Sequence, residues 1–187
     1  MPRTTGIFQE LASIYLNRGA AAYFGEPVTV TEHSLQAAHF AQKFNAADAL
    51  VLAALLHDVG HLIGNASNDI ADWKIDMRHE VSGSKWLSLR FGPSVSEPVR
   101  LHVPAKRYLC ATDPAYFGKL SPASVVTLRL QGGPMSEAEV RAFEAEHFFR
   151  EAVLLRRCDE EAKVAGLATT DFSHYRPLIE AMAVERA

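Results

Sequence analysis

The chain has 187 residues, 48% of them hydrophobic and 22% charged, with a formal net charge of −3. This is enough apolar content for one sizeable core, so a single domain over residues 1–187 is expected. The charges are interspersed, with no basic block for nucleic acid, no apolar stretch near the roughly 20 residues of a membrane span, and no secretory segment at the start. Cys110 and Cys158 lie far apart without CxxC spacing and read as reduced thiols, so a cytoplasmic protein without nucleic-acid or membrane partners is expected.

Helical periodicity dominates along the chain and alternating strand patterns are nearly absent. Residues 31–44 predict a helix with Thr31 in position to cap it and an apolar stripe of Ala37, Phe40, Ala41 and Phe44 following His33. Residues 47–62 are almost wholly apolar and predict a core helix, with Gly60 and Gly64 at its end. Residues 77–91 predict another, stopped by the Gly-Pro that follows. A helix over 96–109 would start with Ser96 as cap and bend or break at Pro104, just after His102. Residues 136–165 predict one long helix opened by a Ser136–Glu139 capping box. Between these, 111–124 and 131–135 read as loops or turns. The expected architecture is an all-α bundle of six or seven helices.

The core helix of residues 47–62 carries a histidine and an aspartate side by side. Burying an unpaired carboxylate beside an imidazole costs several kcal/mol unless a cation or a dense hydrogen-bond network compensates. Of eight histidines, His33 shares a packed helical stripe, and Asp159 continues the stripe of Phe148, Ala152 and Leu155. His79 precedes Gly83 and Trp86, and His102 sits between Leu101 and Val103. His39, His147 and His174 read as ordinary histidines. Imidazole and carboxylate donors without thiolate suit iron, manganese or zinc.

His33, His57-Asp58 and Asp159 stand in the order of the HD-domain superfamily, whose pattern is H…HD…D, so the all-α bundle is expected to be an HD-domain bundle. Three further stretches, residues 23–42, 52–61 and 102–109, together with residues 130–135, resemble the di-iron HD oxygenases of phosphonate catabolism. These are the glycine-forming 2-amino-1-hydroxyethylphosphonate dioxygenase and its trimethylammonium relative. The resemblance implies two iron ions in a mixed-valence Fe(II)/Fe(III) pair, with O2 as cosubstrate. It places His33, His57 and Asp159 on one iron, His79 and His102 on the other, and Asp58 as the bridge. Tyr23 matches a tyrosine that occupies an iron position before substrate enters, Glu26 its partner in an induced-fit lid, and His61 a residue near the substrate. Lys106, Ser124 and Gln131 match groups that hold the phosphonate. Residues 65–78 show no such likeness.

The residues alone leave these readings open. A phosphonate needs a fixed cation, and Lys106 lies one helical turn beyond His102, yet it equally reads as a solvated lysine beside Arg107. The Gln-Gly-Gly-Pro run serves as plain turn chemistry, and Tyr23 and Glu26 as a helix-end tyrosine and a surface acid. The implied activity is O2-dependent cleavage of the C–P bond of a small 1-hydroxy-2-aminoethylphosphonate, giving phosphate and an amino-acid-type carboxylate. A trimethylammonium arm, yielding glycine betaine, is the expected substrate form, because Tyr23, Phe24, Trp73, Tyr108, Tyr116 and Phe117 could supply aromatic faces. A metal-dependent phosphohydrolase acting on a nucleotide or phosphomonoester is the main rival. A regulatory binding domain is weaker, since no ligand position is missing.

Overall fold

A computed structural model describes residues 5–63 and 78–184, and among these it contains eleven α-helices and no β-strand. In chain order they are α1 (Thr5–Arg18), α2 (Val30–Lys43), α3 (Asp48–Leu56), α4 (Val59–Ile63), α5 (His79–Ser88), α6 (Pro93–Thr112), α7 (Pro114–Phe117), α8 (Pro122–Leu130), α9 (Glu137–Glu144), α10 (Phe149–Glu161) and α11 (Arg176–Met182). A 3-10 turn, Phe172–Tyr175, precedes α11. No helix among the described residues is long and apolar enough to cross a membrane.

The most apolar segment takes the centre. Every residue of α3 from Leu50 to Leu56 is buried, and α2, α6, α10 and α11 all pack on it. A second, smaller cluster lies where α6 meets α9 and α10, built from Leu101, Ala105, Phe143 and Ala152.

Several boundaries differ from the sequence reading, each for a physical reason. Helix α2 is capped by Thr29, not Thr31: the Thr29 hydroxyl accepts from the Glu32 amide at 3.1 Å, while the Glu32 carboxylate accepts from the Thr29 amide at 2.7 Å. The apolar run of residues 47–62 is two helices, broken at His57-Asp58. Neighbouring residues on one continuous helix point in different directions, whereas this break lets both side chains face one point. Ser96 is no cap, because α6 begins at Pro93, and the helix continues through Pro98 and Pro104. That continuation keeps Lys106 one turn beyond His102 on the same buried face. The long helix expected over 136–165 is split at Ala145–Phe148. The split folds Phe143 and Phe149 onto Tyr108, at ring-centroid distances of 5.4 and 5.1 Å. Residues 111–124, expected as loop, contain α7 and the start of α8.

Two glycines let α4 and α5 approach at backbone contact. A Cβ on Gly60 would lie 2.1 Å from the His79 carbonyl oxygen, and one on Gly83 would lie 3.1 Å from the Gly60 nitrogen. Gly64 lies outside the described residues, as do Trp73 and most of the 65–78 stretch. Gly60→Ala should therefore displace the start of α5 and with it His79. Overpacking of this kind costs about 1–3 kcal/mol, or roughly 2–4 °C of Tm per kcal/mol for a chain of this size. Thermal unfolding beside Gly6→Ala, whose Cβ meets nothing within 4 Å, measures the difference. Equal Tm values in the two variants would contradict the close-contact role of Gly60.

Candidate metal centre

Six side chains from five places in the fold meet at one buried point. His33 comes from the first turn of α2, His57 and Asp58 from the break after α3, His79 from the first residue of α5, His102 from the middle of α6 and Asp159 from the last turn of α10. All six are buried. His33 Nε2 lies 3.1 Å from His57 Nε2, 3.4 Å from Asp159 Oδ1 and 3.6 Å from Asp58 Oδ2. On the other side, His79 Nε2 lies 3.2 Å from His102 Nε2 and 3.4 Å from Asp58 Oδ1, and His102 Nε2 is 3.7 Å from that same oxygen. Asp58 thus turns one oxygen to each pair of imidazoles.

The tautomers follow from what lies behind the rings. His33 Nδ1 meets the Ala162 carbonyl at 2.7 Å, His57 Nδ1 the Ala54 carbonyl at 2.8 Å and His102 Nδ1 the Val99 carbonyl at 2.7 Å. A carbonyl only accepts, so each Nδ1 carries a proton and each Nε2 faces inward. Burial pushes the His102 pKa down to about 3, aided by His79 and His57, and burial likewise lowers that of His57, so these two rings are neutral and aim Nε2 lone pairs inward. Between the facing Nε2 atoms of His33 and His57, 3.1 Å apart, a proton or a cation must sit. Behind His79 stands a carboxylate instead of a carbonyl: Glu80 Oε2 is 3.6 Å from its Nδ1.

The carboxylates point to the same conclusion. Burial would raise the pKa of Asp58, but His57, His79 and His61 outweigh it and hold the group well below the usual carboxylate range. Burial is likewise outweighed at Asp159, chiefly by Arg156 and then by His33 and His57. Both are anions at neutral pH. Among the described residues, Asp58 Oδ2 and Asp159 Oδ1 are buried with no hydrogen-bond partner. Buried anionic oxygens beside inward imidazole lone pairs are a donor set for cations. The residues fit two hard or borderline divalent or trivalent metals.

His61 also stands at the rim. Its ring stacks on His79 at 3.9 Å, and its ligating atom lies within 4.8 Å of those of Asp58 and His79. Opposite, Tyr23 stacks on His33 at 3.8 Å with only 15° between the planes. Burial first, then the charges of Asp58 and Asp159, raise the Tyr23 pKa well above its ordinary value. Tyr23 is held by a tight turn in which Phe24 takes a left-handed φ of 46° and Gly25 one of 79°. A phenylalanine there stores strain, and its ring lies edge-on to His61 at 4.7 Å.

Beyond Asp159 lies a wall of buried cations. Lys106 Nζ donates to Thr127 Oγ1 at 2.5 Å and to Gln131 Oε1 at 3.1 Å. Burial and neighbouring Arg156 bring its pKa down to about 7. Arg156 is buried too, donating to the Tyr116 hydroxyl at 2.6 Å and to the carboxylates of Asp159 and Glu160. Ser124 Oγ accepts from Lys163 Nζ at 2.9 Å, and Glu26 Oε1 accepts from Ser121 Oγ at 2.5 Å. Lys106, Ser124 and Gln131 therefore do come together.

The sequence reading missed Arg156, Lys163, Glu160 and Thr127. Arg156 and Glu160 stand at i−3 and i+1 from Asp159, a spacing that could have placed Arg156 on the same face. Of the aromatics named for a trimethylammonium arm, Tyr23 and Phe24 lie against His33 and His61 and Tyr116 against Arg156, while two others stand away from the centre. Tyr108 sits in the second cluster, its hydroxyl donating to Glu144 at 3.0 Å, and Phe117 is exposed. His39 is half-buried against Phe40, while His147 and His174 are exposed, all three apart from the centre.

Known proteins were compared with the chain. Residues 30–163 match the HD domain. The [1-hydroxy-2-(trimethylamino)ethyl]phosphonate dioxygenase (glycine-betaine-forming) of Leisingera caerulea is 40% identical over 176 residues, covering 94% of this chain and 90% of that protein. The hydroxymethylphosphonate dioxygenase of Gimesia maris is 44% identical over 160 residues, 85% of this chain and 80% of its own. An uncharacterized protein of Acanthamoeba polyphaga mimivirus is 33% identical over 171 residues, 90% of this chain and 78% of its own. An H…HD…D set assembled around buried, cation-requiring carboxylates, in a chain this similar to these relatives, belongs to the HD-domain family, in the branch that contains the phosphonate dioxygenases.

Proposed function

We propose that the protein is a di-iron dioxygenase that cleaves the C–P bond of a small 1-hydroxyphosphonate. His33, His57 and Asp159 would hold one iron and His79 and His102 the other, with Asp58 offering one carboxylate oxygen to each side. A bound mixed-valence Fe(II)/Fe(III) pair would supply Lewis acidity and the electrons that activate O2. Overall, R–CH(OH)–PO3(2−) and O2 become R–COO(−), HPO4(2−) and H(+), so the carbon is oxidised to the acid and both oxygen atoms of O2 are consumed.

The chain's own groups bind, orient and keep the site dry. Lys106 and Arg156 present fixed positive charge to the phosphonate oxygens, with Gln131 and Ser124 as neutral partners. Tyr23, stacked on His33, shields one face of the centre until substrate displaces it, and Glu26 moves with it on the same turn. His61 closes the opposite rim against His79. The observation that carries this reading is the buried Lys106–Arg156 wall directly beside Asp159, one of the two carboxylates that keep an unpartnered oxygen. It is a metal site opening onto an anion site, in a chain 40–44% identical to phosphonate dioxygenases.

The substrate's arm is a finer question. The trimethylammonium form expected from the sequence and the primary amine both carry a cation at C2. The substrate in the name of the Gimesia maris relative has no arm at all. Phosphate release under air and under nitrogen tests the reading as a whole. Release should require O2, and anaerobic hydrolysis of phosphomonoesters at a comparable rate would favour the phosphohydrolase.

Two more outcomes follow from the roles assigned. Asp58→Ala should bind neither metal, because a bridging carboxylate serves both, whereas His102→Ala should lose mainly one. Metal analysis checks this, and equal stoichiometry in the two variants would count against the bridge. For Lys106, a pKa near 7 means the free enzyme loses this charge as pH rises through about 7. The kcat/KM should therefore fall on the alkaline side, and Lys106→Arg, which stays protonated, should remove that limb. Lys106→Ala should weaken substrate binding by about 1.5–3 kcal/mol, the range for a hydrogen bond to a charged group, with metal content unchanged. A KM unaltered by Lys106→Ala would take Lys106 out of the site.

A further inference from the structure

Lys163 is a buried-side cation beside Ser124 to which the oxygenase reading assigns no role. It follows α10 by two residues, and its backbone is held on both sides by buried groups of α2. Ala162 accepts from His33 at 2.7 Å. The Gln36 side chain takes both polar groups of Val164, donating to its carbonyl at 2.8 Å and accepting from its amide at 2.9 Å. With its neighbours fixed this way, the Lys163 side chain has a set direction. Its Nζ stands 2.9 Å from Ser124 Oγ, 2.9 Å from Glu160 Oε1 and 3.9 Å from Glu26 Oε1.

That geometry sets the charge around Ser124, next to the proposed phosphonate position. An ammonium arm on the substrate needs an uncompensated carboxylate or a set of free acceptors, and Glu26 and Glu160 are the acids beside Ser124. Glu160 is already paired with Arg156 on one oxygen and with Lys163 on the other. Glu26 accepts from Ser121 and has the Lys163 ammonium 3.9 Å from its Oε1. A cationic arm entering here meets the protein's own cation first, with like charges brought together in a largely buried place. A trimethylammonium arm would need a nearby carboxylate beside its aromatic faces, and both acids here already face Lys163.

We propose that Lys163 is the specificity-determining residue of the pocket: it fills the position an ammonium arm would take, so the enzyme prefers a 1-hydroxyphosphonate whose arm is absent or uncharged. The inference rests on the C–P oxygenase reading and narrows its substrate class. The test is kcat/KM by phosphate release under air for hydroxymethylphosphonate, 2-amino-1-hydroxyethylphosphonate and its trimethylammonium analogue. It uses the wild type, Lys163→Met and Lys163→Arg, with metal content and Tm measured on each. The wild type should favour hydroxymethylphosphonate by at least about tenfold over both amines. Lys163→Met should shift that ratio towards the amines by about tenfold or more, and Lys163→Arg should keep it. A wild-type preference for either amine overturns the proposal while leaving the oxygenase reading intact. An equal loss for all three substrates in Lys163→Met overturns it too, since that is the signature of a phosphonate-holding lysine. If Lys163→Met does not fold, the wild-type ratio with the Lys163→Arg ratio decides. No phosphate from any of the three under air removes the oxygenase reading itself, and the proposal with it.

Discussion

The structure depends on one electrostatic problem, which is two buried carboxylates facing inward imidazole lone pairs. Asp58 and Asp159 stay ionised although burial opposes it, and each keeps an oxygen without a hydrogen-bond donor among the described residues. Desolvated anions of this kind cost several kcal/mol each unless a cation sits among them. His57 and His102 do not supply the missing protons, because burial lowers their pKa and their Nδ1 hydrogens are committed to backbone carbonyls. Metal ions resolve both difficulties at once, so metal binding and folding should be linked in this protein.

The fold serves that centre by ending or breaking helices at it. Five of the six donors sit in a terminal turn of a helix or in a break, where the side chain can leave the helical register. His102 is the interior exception, placed by a helix that runs on through two prolines. The same continuity delivers Lys106 one turn later, which ties the metal site to the anion site. The contact of Gly60 and Gly83 brings α5 close enough for His79 to reach Asp58. The strained turn at Phe24 holds Tyr23 against His33.

Much of this was legible in the sequence, and the rest was not for definable reasons. The six residues that converge could be picked out because apolar context makes a buried His-Asp pair conspicuous and because their order along the chain is that of a known family. Lys106, Ser124 and Gln131 rested on resemblance, and the helical turn between His102 and Lys106 supported only the first. Periodicity cannot see a break inside a run that is apolar on all sides, so α3 and α4 read as one helix. It could not see the split at Ala145–Phe148 either, since good helix formers flank it and only the Tyr108 cluster dictates it. Pro104 misled in the opposite direction, because tertiary packing carried the helix past it. Lys163 was invisible: a lysine after a run of charged residues reads as solvated surface, and only the pinning of its neighbours by His33 and Gln36 turns it inward.

The most direct measurement is the anomalous scattering of crystals grown with iron, collected above and below the iron edge. Two iron peaks roughly 3.5–4 Å apart, the spacing of two-metal sites, should flank the Asp58 carboxylate, with His33, His57 and Asp159 on one and His79 and His102 on the other. A single peak, or two peaks with Asp58 turned away from both, would contradict the compensation on which the arrangement depends.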